Sequence, residues 1–151
     1  MFILVVDNNI FFVSVLRTML HNAGFNCIES TGNGAECLIL PKRKESPDVI
    51  IIDEEMCFVD GLDILNNIRL ALPDTRIIIL TSADSKIDIN QVPDEGSVFF
   101  MEKDRITAEN LPQVLYNIFT EKISATKLPA ANNVISLLRR SLTGMLNFVA
   151  F

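Results

Sequence analysis

The sequence predicts an α/β fold in which helices wind around both faces of a five-stranded parallel sheet. Three observations point there. Short aliphatic runs alternate with helix-spaced apolar patterns five times, at βαβ spacing. The runs are continuously apolar, as in strands covered on both faces, rather than alternating. The best of them, Val49-Ile50-Ile51-Ile52, stops abruptly at Asp53, and open sheets of this class place ligands at the carboxyl ends of their strands.

Taken in order, Phe2 to Val6 is the first strand and ends at Asp7, where Asn8 and Asn9 can cap a helix. Phe12, Val15, Leu16, Met19 and Leu20 form a helical stripe toward the core, leaving Ile10, Phe11 and Val13 unassigned. Ala23-Gly24 ends that helix. Phe25 to Glu29 is the second strand, Thr31 to Gly34 a turn, and Ala35 to Leu40 a helix closed by Pro41; residues 42–47 form a polar loop. The third strand follows, and Gly61 lets the chain turn. Leu62, Ile64, Leu65, Ile68 and Leu72 mark a third helix, ended by Pro73. Arg76 to Leu80 is the fourth strand, closing on Thr81-Ser82. A fourth helix over Asp84 to Asp94 is expected to be short or irregular, because Ile87, Asp88, Ile89, Asn90 and Pro93 disfavour it. Val98 to Met101 is the fifth strand, leading to Lys103, and Leu111, Val114, Leu115, Ile118 and Phe119 mark the fifth helix. With right-handed crossovers, five such units give a flavodoxin-like strand order, 2-1-3-4-5.

This domain spans residues 1–121. A linker, 122–131, carries Ser124, Thr126 and Pro129, and residues 132–151 read as an extra C-terminal amphipathic helix. Val134, Ile135, Leu138, Leu142, Met145, Leu146 and Val149 line one face of it, and Ser136, Arg140, Thr143 and Asn147 the other.

Charge divides the chain the same way. Of 13 basic and 19 acidic residues, residues 122–151 hold Lys122, Lys127, Arg139 and Arg140 and no acid. The acidic main domain argues against direct nucleic-acid binding. Phe99 and Phe100 are therefore read as one core and one functional aromatic rather than a base-stacking platform. Cys27, Cys37 and Cys57 form no paired motif and read as buried free thiols of a cytoplasmic protein. No Lys or Arg precedes the apolar start, Met1 to Val6, which is too short for a signal peptide, and no stretch is long and uncharged enough to span a membrane. The single His21 is a surface residue on the first helix, with no spaced metal-ligand partner.

The carboxyl ends of strands 1, 3, 4 and 5 bring Asp7-Asn8, Asp53, Thr81 and Lys103 to one rim. Oxygen ligands suit Mg²⁺. A carboxylate can attack a phosphoryl group whose charge a metal and an ammonium offset, and a hydroxyl can donate to a phosphoryl oxygen. Polar strand ends joined by a plain Asp53–Lys103 ion pair are the competing reading.

The chain resembles the CheY-like receiver domain of two-component response regulators. The residues that carry the resemblance are Ile3-Leu4-Val5-Val6-Asp7, Asp53-x-x-Met56 with Gly61, Thr81-Ser82, Gly96, and Phe100-x-x-Lys103, over residues 2–121. The resemblance implies a non-enzymatic phosphorelay module. Asp53 would be the phospho-acceptor. Asp7, Asn8, Asp53 and the backbone carbonyl of Glu55 would hold Mg²⁺. Thr81 and Lys103 would contact the phosphoryl group, with Thr81 and Phe100 as the switch pair. A histidine kinase or phosphotransfer protein would be the donor, and a downstream protein the target.

Four departures from the family pattern stand out. Asn8 replaces the second acid and weakens the metal site. Cys57 and Asp104 replace prolines, so the Lys103–Asp104 peptide is expected to be trans and Lys103 to shift. The fourth helix is poor. Glu55 either compensates for Asn8 or simply faces solvent. Cys57 is expected to be an inert thiol, since Glu54, Glu55 and Asp60 would raise its pKa. These departures keep a second reading open, a degenerate receiver that binds partners without phosphorylation. A flavodoxin-type small-molecule binder is disfavoured, because Asp7-Asn8-Asn9 offers no phosphate cradle. The C-terminal helix is expected to dock on its own domain or across a homodimer. A membrane surface is the weaker alternative, since only Arg139 and Arg140 are basic within it.

Overall fold

The computed structural model describes residues 1–36, 39, 45–59, 62–85 and 97–120. Five strands, β1 (Phe2–Val6), β2 (Cys27–Thr31), β3 (Val49–Asp53), β4 (Arg76–Thr81) and β5 (Val98–Glu102), form one sheet. All its pairings are parallel and its order is β2-β1-β3-β4-β5, as the βαβ spacing predicts. Three α-helices are described: α1 (Ile10–Asn22), α2 (Ile64–Ala71) and α3 (Asn110–Thr120).

The continuous aliphatic runs are explained by the two cores they serve. Ile3, Val5, Ile51 and Ile78 point to one face, against Leu16 and Leu20 of α1 and Leu111 and Leu115 of α3. Leu4, Val6, Ile50, Ile52, Ile77 and Ile79 point to the other, against Ile64, Leu65 and Ile68 of α2. The central strands β1, β3 and β4 thus bury alternate residues on opposite sides, and each buried Ile or Leu contributes about 1.5–3 kcal/mol.

The helix-1 stripe is rotated from the expected one. Val13, Leu16 and Leu20 are buried, whereas Val15 is 49% exposed. The Asn9 side chain accepts from the amides of Phe11 and Phe12 and fixes where the helix starts, so Val13 faces the sheet. Ile10 and Phe11 remain exposed. Strand β2 begins two residues later than expected. The Phe25 amide donates to the Leu20 carbonyl, closing α1 over Gly24 (φ +91°), and so is withheld from the sheet ladder. Leu62 does not start a helix. Leu62–Asp63 pairs antiparallel with Phe58–Val59, and Asp63 then caps α2 through the Asn66 amide.

Cys57 is a buried thiol outside any disulfide, but Cys27 is exposed, since it lies on the edge strand β2 and faces solvent. The Lys103–Asp104 peptide is trans. Residues 34–36 form a 3-10 turn. Most of the helix expected there, Cys37, Gly61, Gly96, the fourth helix beyond Ser85, the linker 122–131 and the C-terminal helix 132–151 lie outside the described residues. Among the described residues no helix is long and apolar enough to cross a membrane.

Candidate functional site

The rim is built by register. Val6 of β1 lies opposite Ile52 of β3, so the next residues, Asp7 and Asp53, end neighbouring strands. Asp53 lies opposite Leu80, and Thr81 opposite Glu102, which puts Lys103 just past the end of β5. Two strand spacings, about 10 Å, separate β5 from β3, and the long Lys103 side chain crosses this gap above β4. Its Nζ lies 2.7 Å from Asp53 Oδ2 and 2.9 Å from Asp7 Oδ2.

Both carboxylates are buried, Asp7 at 2% and Asp53 at 5% exposure. A buried carboxylate needs a partner, and one ammonium serves two. Asp7 Oδ1 accepts from the Asn9 amide at 2.8 Å. Among the described residues Asp7 Oδ2 is held by the Lys103 ammonium alone. Burial pulls the Lys103 pKa down, but hydrogen bonds to Asp53 and Asp7 and their charges outweigh it and hold the ammonium above its ordinary range. Phe12 of α1 adds its ring face, 5.0 Å from Nζ.

The remaining expected residues are placed unevenly. Thr81 is buried at the end of β4, but its hydroxyl donates to the Met101 carbonyl at 3.4 Å. Asn8 is exposed beside Asp7, and its Cα lies 3.5 Å from where a side-chain carbon on Gly32 would sit. Glu55 is exposed, the solvent-facing alternative. Phe100 is half-buried against the α2-side core. Cys57 Sγ lies 3.6 Å from the Asp53 carbonyl, as a buried thiol.

Glu54 is the residue the sequence did not single out. Its Oε1 accepts from the Ser82 amide at 2.8 Å and the Ser82 hydroxyl at 2.6 Å, and its Oε2 accepts from the Ser85 hydroxyl. Burial pushes its pKa up, but these bonds and the Lys103 charge prevail and keep it below the ordinary carboxylate value.

The rim also fits a hard cation. The Asp7 and Asp53 carboxylates are hard oxygen ligands that meet here, 2.9 and 2.7 Å from one ammonium. Mg²⁺ commonly takes one or two carboxylates and keeps several waters. Among the described residues no three His, Cys, Asp or Glu side chains cluster so as to hold a metal ion by themselves.

The family model of the response regulator receiver domain matches residues 3–116. The chain belongs to this family. The receiver is 31% identical over 103 residues to the nitrate/nitrite response regulator protein NarP of Escherichia coli, covering 68% of this chain and 47% of that one. It is 28% identical over 113 residues to a putative transcriptional regulator of Pseudomonas aeruginosa, covering 75% and 52%. The chain therefore spans about half the length of these curated relatives. Among solved structures, a receiver domain from Clostridium thermocellum superposes with TM-score 0.64 at 27% identity, covering 77% of this chain and 91% of that one. The receiver domain of sensor histidine kinase PA1611 of P. aeruginosa, solved with magnesium in its active-site cleft, superposes with TM-score 0.61 at 21% identity, covering 76% and 93%. The chain is thus a receiver domain of the two-component response regulators, a signalling module.

Proposed function

We propose that this receiver accepts a phosphoryl group on Asp53 from a histidine kinase or phosphotransfer protein, and signals in the cytoplasm by protein–protein contact rather than as an enzyme. The observation that carries this reading is the buried Asp53 carboxylate at the end of a central strand, 2.7 Å from the Lys103 ammonium. An Asp53 oxygen attacks phosphorus opposite the donor's imidazole nitrogen. The new O–P bond forms as the P–N bond breaks, and the imidazole leaves with that electron pair. Lys103 offsets charge on the phosphoryl oxygens. The Thr81 hydroxyl exchanges the Met101 carbonyl for one of those oxygens, and Phe100 turns inward behind it. Asp7, the Asn8 amide oxygen, Asp53 and the Glu55 main-chain carbonyl would hold Mg²⁺, which when bound neutralises further phosphoryl charge. Asn8 contributes an oxygen but no charge, so affinity for the ion is lowered.

Incubation with acetyl phosphate and Mg²⁺ should add the mass of one phosphoryl group to the wild type and none to Asp53→Asn. Equal masses for the two proteins would refute the reading. Two features favour a second reading, the phosphorylation-independent module: Lys103 already pairs with both carboxylates, and Asn8 supplies no second acid. The same experiment separates the two.

The C-terminal segment is proposed to cover apolar surface of its own domain or of a second copy. Ile10 and Phe11, 74% and 80% exposed on α1, are the surface it would shield. Deleting residues 122–151 should change the number of copies per particle or lower the unfolding midpoint; neither change would refute docking.

A further inference from the structure

Glu54 directly follows Asp53 and opens the 3-10 turn Glu54–Met56. All three donors it collects, the Ser82 amide and the Ser82 and Ser85 hydroxyls, belong to the segment leaving β4. That segment starts one residue past Thr81 and two past Leu80, the residue opposite Asp53 in the β3–β4 register. One carboxylate therefore fastens the loop after β3 to the loop after β4 through charge-assisted bonds, with three of its about four acceptor sites filled. The Lys103 charge that serves Asp53 and Asp7 also reaches Glu54.

We propose that Glu54 is an internal anionic stand-in for the phosphoryl group, which holds the Ser82–Ser85 segment until Asp53 is phosphorylated and then yields it. The proposal rests on Asp53 being the phospho-acceptor. A phosphoryl group brings about −1.5 to −2 charge to the residue next to Glu54, and both anions then draw on the same ammonium. The Ser82 amide carries a single hydrogen, so a phosphoryl oxygen that took it would displace Glu54. Loss of the Glu54 bonds detaches Ser82 and Ser85 from this carboxylate together, and a local charge event becomes a change in the surface beyond β4. Glu54 is a positioning residue in this account. A purely structural fastening would depend on its shape and hydrogen bonds, whereas a stand-in also opposes the phosphoryl group by its charge.

Beryllofluoride with Mg²⁺ serves as the phosphoryl mimic, titrated into the wild type, Glu54→Gln, Glu54→Ala and Asp53→Asn while the Ser82 amide resonance is followed. Glu54→Gln keeps an oxygen for Ser82 but removes the charge, and should bind the mimic about tenfold more tightly than the wild type. In Glu54→Ala the Ser82 amide should stand away from its wild-type position before any beryllofluoride is added. In the wild type it should move on binding. Asp53-dependent binding that is equally tight in all Glu54 variants, or a wild-type Ser82 resonance that does not move on binding, overturns the proposal alone. Absence of binding in every protein overturns the phospho-acceptor reading and this proposal with it.

Discussion

Lys103→Ala is expected to lower the stability of the domain by about 3 kcal/mol at neutral pH and to abolish phosphoryl acceptance. The stability loss arises because two carboxylates, with side chains 0% and 6% exposed, lose the ammonium that lies within 3 Å of both. No other cation described at the rim replaces it, and the Phe12 ring beneath offers only its negative face. The figure stays near the lower end for a broken buried pair because the lysine side chain itself is 25% exposed. Removing one of the stranded charges should restore most of the loss, so Lys103→Ala/Asp53→Asn is expected to be more stable than Lys103→Ala alone. Urea midpoints of the four proteins close the cycle, and additive effects would show that the ion pair is not what Lys103 contributes.

The pH dependence follows from the same contacts. Burial lowers the Lys103 pKa, but the hydrogen bonds and charges of Asp53 and Asp7 raise it above 10.5 in the folded chain. A raised lysine contributes its full stabilisation below its unfolded value and loses it as pH climbs through the folded one. The gap between wild type and Lys103→Ala should therefore be constant toward pH 10 as far as this lysine is concerned, and close only in more alkaline solution.

The sheet and the ion-paired rim were readable from sequence for one physical reason. Val49 to Ile52 and Ile77 to Leu80 are apolar at every position because both faces of the sheet are covered, so their ends, and the polar residues just past them, are sharply marked. The strand order then brings Asp7, Asp53 and Lys103 together without any knowledge of side-chain positions. The face of α1 was not readable. Ile10, Phe11, Phe12, Val13, Val15 and Leu16 are apolar nearly all round the helix, so periodicity alone does not choose between Val13 and Val15. The capping Asn9 and the sheet make that choice. Glu54 was hidden for a related reason. In Asp53-Glu54-Glu55 nothing in the sequence says which glutamate turns toward β4, and the 3-10 turn decides it, directing Glu54 to Ser82 and leaving Glu55 exposed.

That outcome for Glu55 sharpens the last prediction. With its side chain facing solvent, the charge missing at Asn8 has no obvious substitute in Glu55, and Asn8→Asp should strengthen Mg²⁺ binding by about tenfold or more, since ligand charge sets affinity at such sites. The substitution also brings a third carboxylate to two that share one ammonium, so in a chelator Asn8→Asp should be less stable than the wild type. Excess Mg²⁺ should reverse that order, because an ion that binds only the folded chain stabilises it in proportion to the logarithm of its concentration over its dissociation constant. Unfolding midpoints with and without Mg²⁺ measure the reversal, and calorimetric titration measures the affinity. Glu55→Gln is the control: its main-chain carbonyl is untouched, so Mg²⁺ affinity should stay at the wild-type value. Were Glu55→Gln to weaken binding while Asn8→Asp left it unchanged, the ion would sit nearer the Glu55 side chain, and the assignment of Asn8 as a ligand would be wrong.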